Sequence, residues 1–148
     1  MKRFSFSLEK LLQLRRYREQ ETEQALARAM GELASIESRI KVLAEERLAV
    51  SANRFTSGKT PAELQNTEYY LLRLERSTAS LLEAAAKAEL LVDAAREAFL
   101  EASKDKKVID KIRDKRIAEH KKVAQEEEIK AMDDISGGST ARKKTLGS

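Results

Sequence analysis

Cysteine and tryptophan are absent from this 148-residue sequence, proline occurs once and glycine five times. Without cysteine there are no disulfides and no thiolate metal sites, and nothing reports a redox compartment. One proline and five glycines are too few for the many turns of a multi-strand sheet fold, which excludes that class. Aromatic residues make up only 5%, too little bulk to fill a dense globular interior around an enzyme pocket. Long hydrophobic runs are also missing, so no membrane-spanning helix is expected. Met1-Lys2-Arg3 is basic, but the apolar stretch of a secretion signal does not follow it. The expected location is the cytoplasm.

What is abundant is charge and helix-forming side chains. Charged residues account for 36%, and 21 alanines sit among the hydrophobic 41%. A composition dominated by Ala, Glu, Lys, Leu and Arg belongs to long helices. Gly58 and Pro61 are the breakers in mid-chain, and Gly137, Gly138 and Gly147 lie near the end. This punctuation predicts an all-α chain: helix 7–53, loop 54–60 and helix 61–133, together a hairpin over 1–135. The polar tail 136–148 cannot bury a core and is expected to be disordered and flexible.

The apolar stripe has a period of 3.5. In the first helix, a positions fall at Leu12, Glu19, Leu26, Leu33, Ile40 and Arg47, with d positions from Leu8 through Ile36 and Leu43 to Val50. Arg15, Glu19 and Thr22 interrupt it near the start. In the second helix the a series runs from Leu64 and Leu71 through Ala85, Val92 and Phe99 to Lys106, and the d series from Thr67 and Leu74 to Ile109. Beyond Lys106 the register decays. A 3.5-residue stripe stays facing a partner helix, which is the signature of a coiled coil. The Ala-rich stretch from Ala84 to Ala102 lets the helices approach closely.

The second helix has its own start signal, Thr60-Pro61-Ala62-Glu63. A hydroxyl at the cap and a carboxylate three residues on can satisfy free backbone N–H groups reciprocally, and proline at the first helical position loses no hydrogen bond. So short a loop predicts an antiparallel hairpin with the second helix longer. Equal spacing about Ser57 would set residue i beside 114 − i. Leu8 would then lie near Lys106, and residues 107 to 133 would project past the amino terminus.

Charge divides by segment: net +4 over 1–60, −4 over 61–103 and +4 over 104–148. The open end of the expected hairpin is cationic, and a cationic end suits an anionic partner surface. No catalytic, cofactor or metal constellation emerges. Ser57-Gly58-Lys59-Thr60 ends like a phosphate-binding loop but lacks its upstream glycine and the strand leading in. His120, the single histidine, has no partners for chemistry and reads as an exposed bystander. Glu126-Glu127-Glu128 and Asp133-Asp134 diverge around a helix and read as a solvated face. Nucleic acid is not the expected ligand, since acidic residues interleave the basic ones and no aromatic platform appears. Phe4, Phe6, Leu8, Leu11, Leu12 and Leu14 would suit either a membrane surface or a hydrophobic lock at the hairpin mouth. Tyr69, Tyr70, Leu72, Leu82, Leu90 and Leu91 lie off the seam, where a partner or a second hairpin must cover them.

The opening Phe4-x-Phe6-x-Leu8-x-x-Leu11-Leu12-x-Leu14-Arg15 resembles the amino-terminal signature of the flagellar export protein FliJ family. The likeness continues through the two long helices, the connector near residue 57 and the stretch Lys111-Ile112-Arg113-Asp114-Lys115-Arg116. It implies a non-enzymatic coiled-coil stalk of the flagellar type III export apparatus. Such a stalk inserts its open end into the export ATPase ring, promotes ring assembly and activity, binds the cytoplasmic domain of the export gate and escorts export chaperones. By that resemblance the ATPase would be met by Leu8, Leu11, Leu12, Arg15, Arg16, Lys111, Arg113 and Arg116, and the gate by Tyr70, Leu74, Ser77 and Leu81. No cofactor, nucleic acid or direct membrane insertion is implied; the location would be peripheral to the inner face of the cell membrane at the flagellar base. The alternatives are a scaffold that self-associates through its exposed leucines and the related injectisome stalk.

Overall fold

A computed structural model describes residues 3–147. The basic opening at Met1 and Lys2, and Ser148 of the expected tail, lie outside the described residues. Two helices make up the fold, α1 (Glu9–Ala52) and α2 (Pro61–Leu146), with no strand among the described residues. They pack against each other antiparallel, the second longer than the first, as the 3.5-residue stripe predicts.

The seam follows the heptad count closely. Every a and d position of α2 from Leu64 to Ile109 is sheltered, and so is every one of α1 from Leu8 to Val50 except Arg47. Most of these side chains are only half-buried, because a two-helix seam screens each one from one side. Full burial in α2 concentrates where the side chains are short or lie at the seam centre: Leu74, Ala85, Ala88, Val92, Ala102 and Ile109. Past Ile109 the sheltered positions continue at Arg113, Ile117, His120 and Ala124. The steps of four there exceed the heptad's alternation, and such an insertion locally unwinds a supercoil. The stripe thus changes period beyond Lys106 instead of dissolving.

The start of α2 forms as its four residues predict. The Thr60 N–H donates to Glu63 Oε2 at 3.0 Å, and the Glu63 N–H donates to Thr60 Oγ1 at 3.2 Å. Pro61 takes the first helical position. Ahead of it Gly58 adopts φ +94°, a conformation that only glycine enters without strain. The Lys59 ammonium donates to the Asn53 carbonyl at 2.5 Å. The stretch that looks like the end of a phosphate loop is a turn and a cap.

Two expectations need correction. The pairing across the helices is not 114 − i: Arg15 would face residue 99 on that rule and instead meets Asp105, and Glu9 meets Arg113. Part of the offset is general. Side chains lean toward each helix's amino terminus, so in an antiparallel pair both contacting residues sit further along their own chains than equal Cα spacing implies. Residues 107–120 therefore do not project past the amino terminus; they pack against it. Secondly, α2 does not stop at 133. It runs through Ser136, Gly137 and Gly138 to Leu146, fully exposed over that stretch. Each glycine costs a helix about 1 kcal/mol relative to alanine, which makes this the least favoured part of α2 without ending it.

The chain divides into two compact units, one comprising the described residues up to Tyr17 together with those from Ser103 onward, the other Arg18–Ala102.

Candidate functional site

The first unit is organised around one apolar cluster. Phe6, Leu12 and Ile109 are buried in it, and Phe4, Leu8, Leu11 and Ile112 pack against them. The segment before α1 is tied down by backbone as well, since the Glu9 N–H donates to the Phe6 carbonyl at 3.1 Å. This is the hydrophobic lock that the Phe4-to-Leu12 pattern allowed. Leu14, included with that pattern, points outward and is 62% exposed.

Charged groups frame the cluster. Arg15 Nη1 donates to Asp105 Oδ2 at 2.9 Å, Arg16 Nη2 stands 3.7 Å from Asp110 Oδ1, and Arg113 Nε stands 3.6 Å from Glu9 Oε2. Arg116 donates to the Ser7 hydroxyl at 2.7 Å and lays its guanidinium 5.5 Å from the Phe6 ring centre. His120 is no exposed bystander. It is half-buried, its ring edge-on to Phe4 with centroids 5.5 Å apart.

The structure therefore brings the eight residues assigned to ATPase binding into one unit but gives them different situations. Leu12 is 0% exposed, so it holds the lock closed and offers no surface to another protein. Leu8 and Leu11 are half-buried, and Arg15 and Arg113 are engaged across the helices. Arg16, Lys111 and Arg116 are exposed. Sequence reasoning missed the acidic partners Glu9, Asp105 and Asp110. Their signal was available: Arg15, Arg16 and Arg113, at or beside the stripe in this unit, each have an acidic residue at the facing height once the pairing offset is known.

The residues assigned to the gate lie in the second unit. The Tyr70 hydroxyl donates to the Glu46 carboxylate. That hydrogen bond, then desolvation, then the negative charge of Glu46, push the phenol above its ordinary value of 10.0. Leu74 is 5% exposed and Leu81 half-buried, both as seam positions; Ser77 is exposed. Tyr69, Leu72, Leu82, Leu90 and Leu91 are exposed as expected from their place off the seam. Arg54 pairs with Glu68 beside the turn.

Among the described residues, no group of three or more His, Asp or Glu side chains could hold a metal ion, and no helix is long and apolar enough to cross a membrane. No curated protein and no solved structure matches the chain. One family does: the model described as flagellar FliJ protein matches residues 4–145, which takes in the lock, both helices and nearly all of the carboxyl-terminal extension. The chain belongs to the flagellar FliJ family, and its role lies with flagellar protein export.

Proposed function

We propose that the chain is a non-enzymatic stalk that enters the flagellar export ATPase ring with the end closed by Phe6, Leu12 and Ile109. It promotes assembly and activity of the ring, links it to the cytoplasmic domain of the export gate, and escorts export chaperones. It works peripherally at the inner face of the cell membrane. The observation that carries this reading is the construction of the first unit. A buried lock and three interhelical ion pairs hold the amino-terminal segment against α2, while Arg16, Lys111 and Arg116 remain exposed around it. A preorganised, cationic contact surface presents its charges without first ordering the chain, which favours binding to an anionic surface.

The exposed members are the ones to test. Arg16→Glu with Lys111→Glu removes stimulation of the ATPase while helicity stays that of the wild type. Unchanged stimulation by the doubly reversed protein would contradict the assignment of this end. On the gate side, Ser77 and the outer edge of Tyr70 supply the contact, and Leu74 supports them from the seam. Ser77→Arg weakens gate binding and leaves ATPase stimulation intact; equal loss of both would mean a damaged fold.

A further inference from the structure

The hydrogen bond from Tyr70 to Glu46 joins equivalent heptad positions across the seam. One heptad further from the turn, the same side of the helix pair carries Arg39 on α1 and Ser77 on α2. The acid of the first rung gives way to a base in the second. Arg39 and Ser77, together with Arg76 and Ser80, line a groove whose floor is Leu43 and Leu81. The four polar side chains are exposed and the two leucines half-buried. All six residues lie in the second unit.

The polar groups of this groove lack an anion. Arg15, Arg16, Arg54 and Arg113 each stand against a carboxylate of the chain, whereas Arg39 and Arg76 have no ion pair among the described residues. The hydroxyls of Thr67 and Thr78 donate to carbonyls one turn back in α2; those of Ser77 and Ser80 make no hydrogen bond among the described residues. Glu46, on the neighbouring rung, is engaged by the Tyr70 hydroxyl. Two guanidinium groups and two hydroxyls thus share one groove, all with donors to give. A guanidinium presents a planar fork that a carboxylate meets with two parallel hydrogen bonds, and each hydroxyl supplies one donor more.

We infer that this groove binds a short acidic segment of a protein partner. Arg39 and Arg76 hold its carboxylates, Ser77 and Ser80 donate to them, and an adjacent aliphatic side chain packs on Leu43 and Leu81. The surroundings select this class of anion. Residues 61–103 carry a net charge of −4, so a polyanion running along α2 is attracted at the groove and repelled beyond it. A bare phosphate gains nothing from the leucine floor, whereas a peptide buries apolar surface there. Ser77 and Leu81 also belong to the surface assigned to the export gate. On that reading, and only on it, the acidic segment is the gate's.

An NMR titration of the isotope-labelled full chain with the peptide acetyl-Gly-Glu-Leu-Glu-Gly-amide tests this without the gate. The Nε–H signals of Arg39 and Arg76 and the amides of Ser77 and Ser80 shift together and saturate, while the Nε–H of Arg96 stays in place. R39Q/R76Q keeps wild-type helicity and binds at least about tenfold more weakly, the loss expected for hydrogen bonds to a charged group. The same peptide with glutamine for both glutamates does not bind. No saturable shift in the wild type overturns the inference, as do shifts spread alike over all arginines, undiminished binding by R39Q/R76Q, or equal binding of the glutamine peptide. Inorganic phosphate that reproduces the peptide's shifts at the same concentration would make the groove a site for any small anion and would equally overturn it. The gate's cytoplasmic domain forms a separate arm: a chain that binds the peptide but not that domain keeps this site and loses only its link to the gate.

Discussion

Arg15 occupies a seam position where the stripe calls for an apolar residue, and its guanidinium reaches across to Asp105, 2.9 Å away. The apparent defect in the heptad is thus an interhelical ion pair. Both side chains remain partly exposed, so a double-mutant cycle yields a coupling of about 0.2–1 kcal/mol. Asp105→Arg destabilises more than Asp105→Ala, since it sets like charges together. Exchange of the two residues, R15D/D105R, recovers most of the loss. Thermal unfolding of the four proteins checks the order.

Among the described residues, Leu12 is the one fully enclosed large side chain. Leu12→Ala costs about 2–5 kcal/mol, and the loss is local to the lock. Hydrogen exchange over residues 3–17 and 103–120 speeds up, while residues 61–80 keep their protection. A uniform loss of protection would show that the lock is not a separate unit of stability.

The cap of α2 depends on one hydroxyl. Thr60→Ala removes the acceptor for the Glu63 N–H and costs about 1 kcal/mol; Thr60→Ser retains it and costs far less. Equal effects of the two substitutions on the unfolding midpoint would mean that the reciprocal bonds of Thr60 and Glu63 do not stabilise the helix start.

Tyr70 gives a pH dependence of definite sign. Its phenol is neutral when protonated, and the bond to Glu46 stabilises that form, so the folded value lies above the unfolded one. The contribution to stability is present in full below pH 10.0 and is lost as pH rises through the raised value. In a Tyr17→Phe/Tyr69→Phe background, ultraviolet titration of the remaining tyrosine gives a midpoint above 10.0. Glu46→Ala brings it down.

Much of this was legible in the sequence because one periodicity, the 3.5-residue apolar stripe, dominates it. The seam, the cap at Thr60-Pro61-Ala62-Glu63 and the lock around Phe6 and Leu12 all follow from spacing and local hydrogen bonding. Three things were not legible. The offset between the helices depends on side-chain lean and on the path through residues 53–60, which no heptad count contains. The pairing of Arg15 and Arg113 with Asp105 and Glu9 depends on that offset. Continuation of α2 through Gly137 and Gly138 is a balance of about 1 kcal/mol per glycine against helix propagation, too fine for residue punctuation to decide. On the candidate site, the resemblance picked residues that the fold gathers into one unit, but it did not distinguish those that face outward from Leu12, which packs inward.

The central claim is that the end closed by the lock engages the export ATPase. The most direct measurement titrates this chain into the export ATPase of its own organism, following hydrolysis and ring formation together. Stimulation of both that disappears when residues 1–14 or those beyond 110 are deleted is the predicted result. Full stimulation by either truncated chain, or none by the intact chain with an active ATPase, would contradict it.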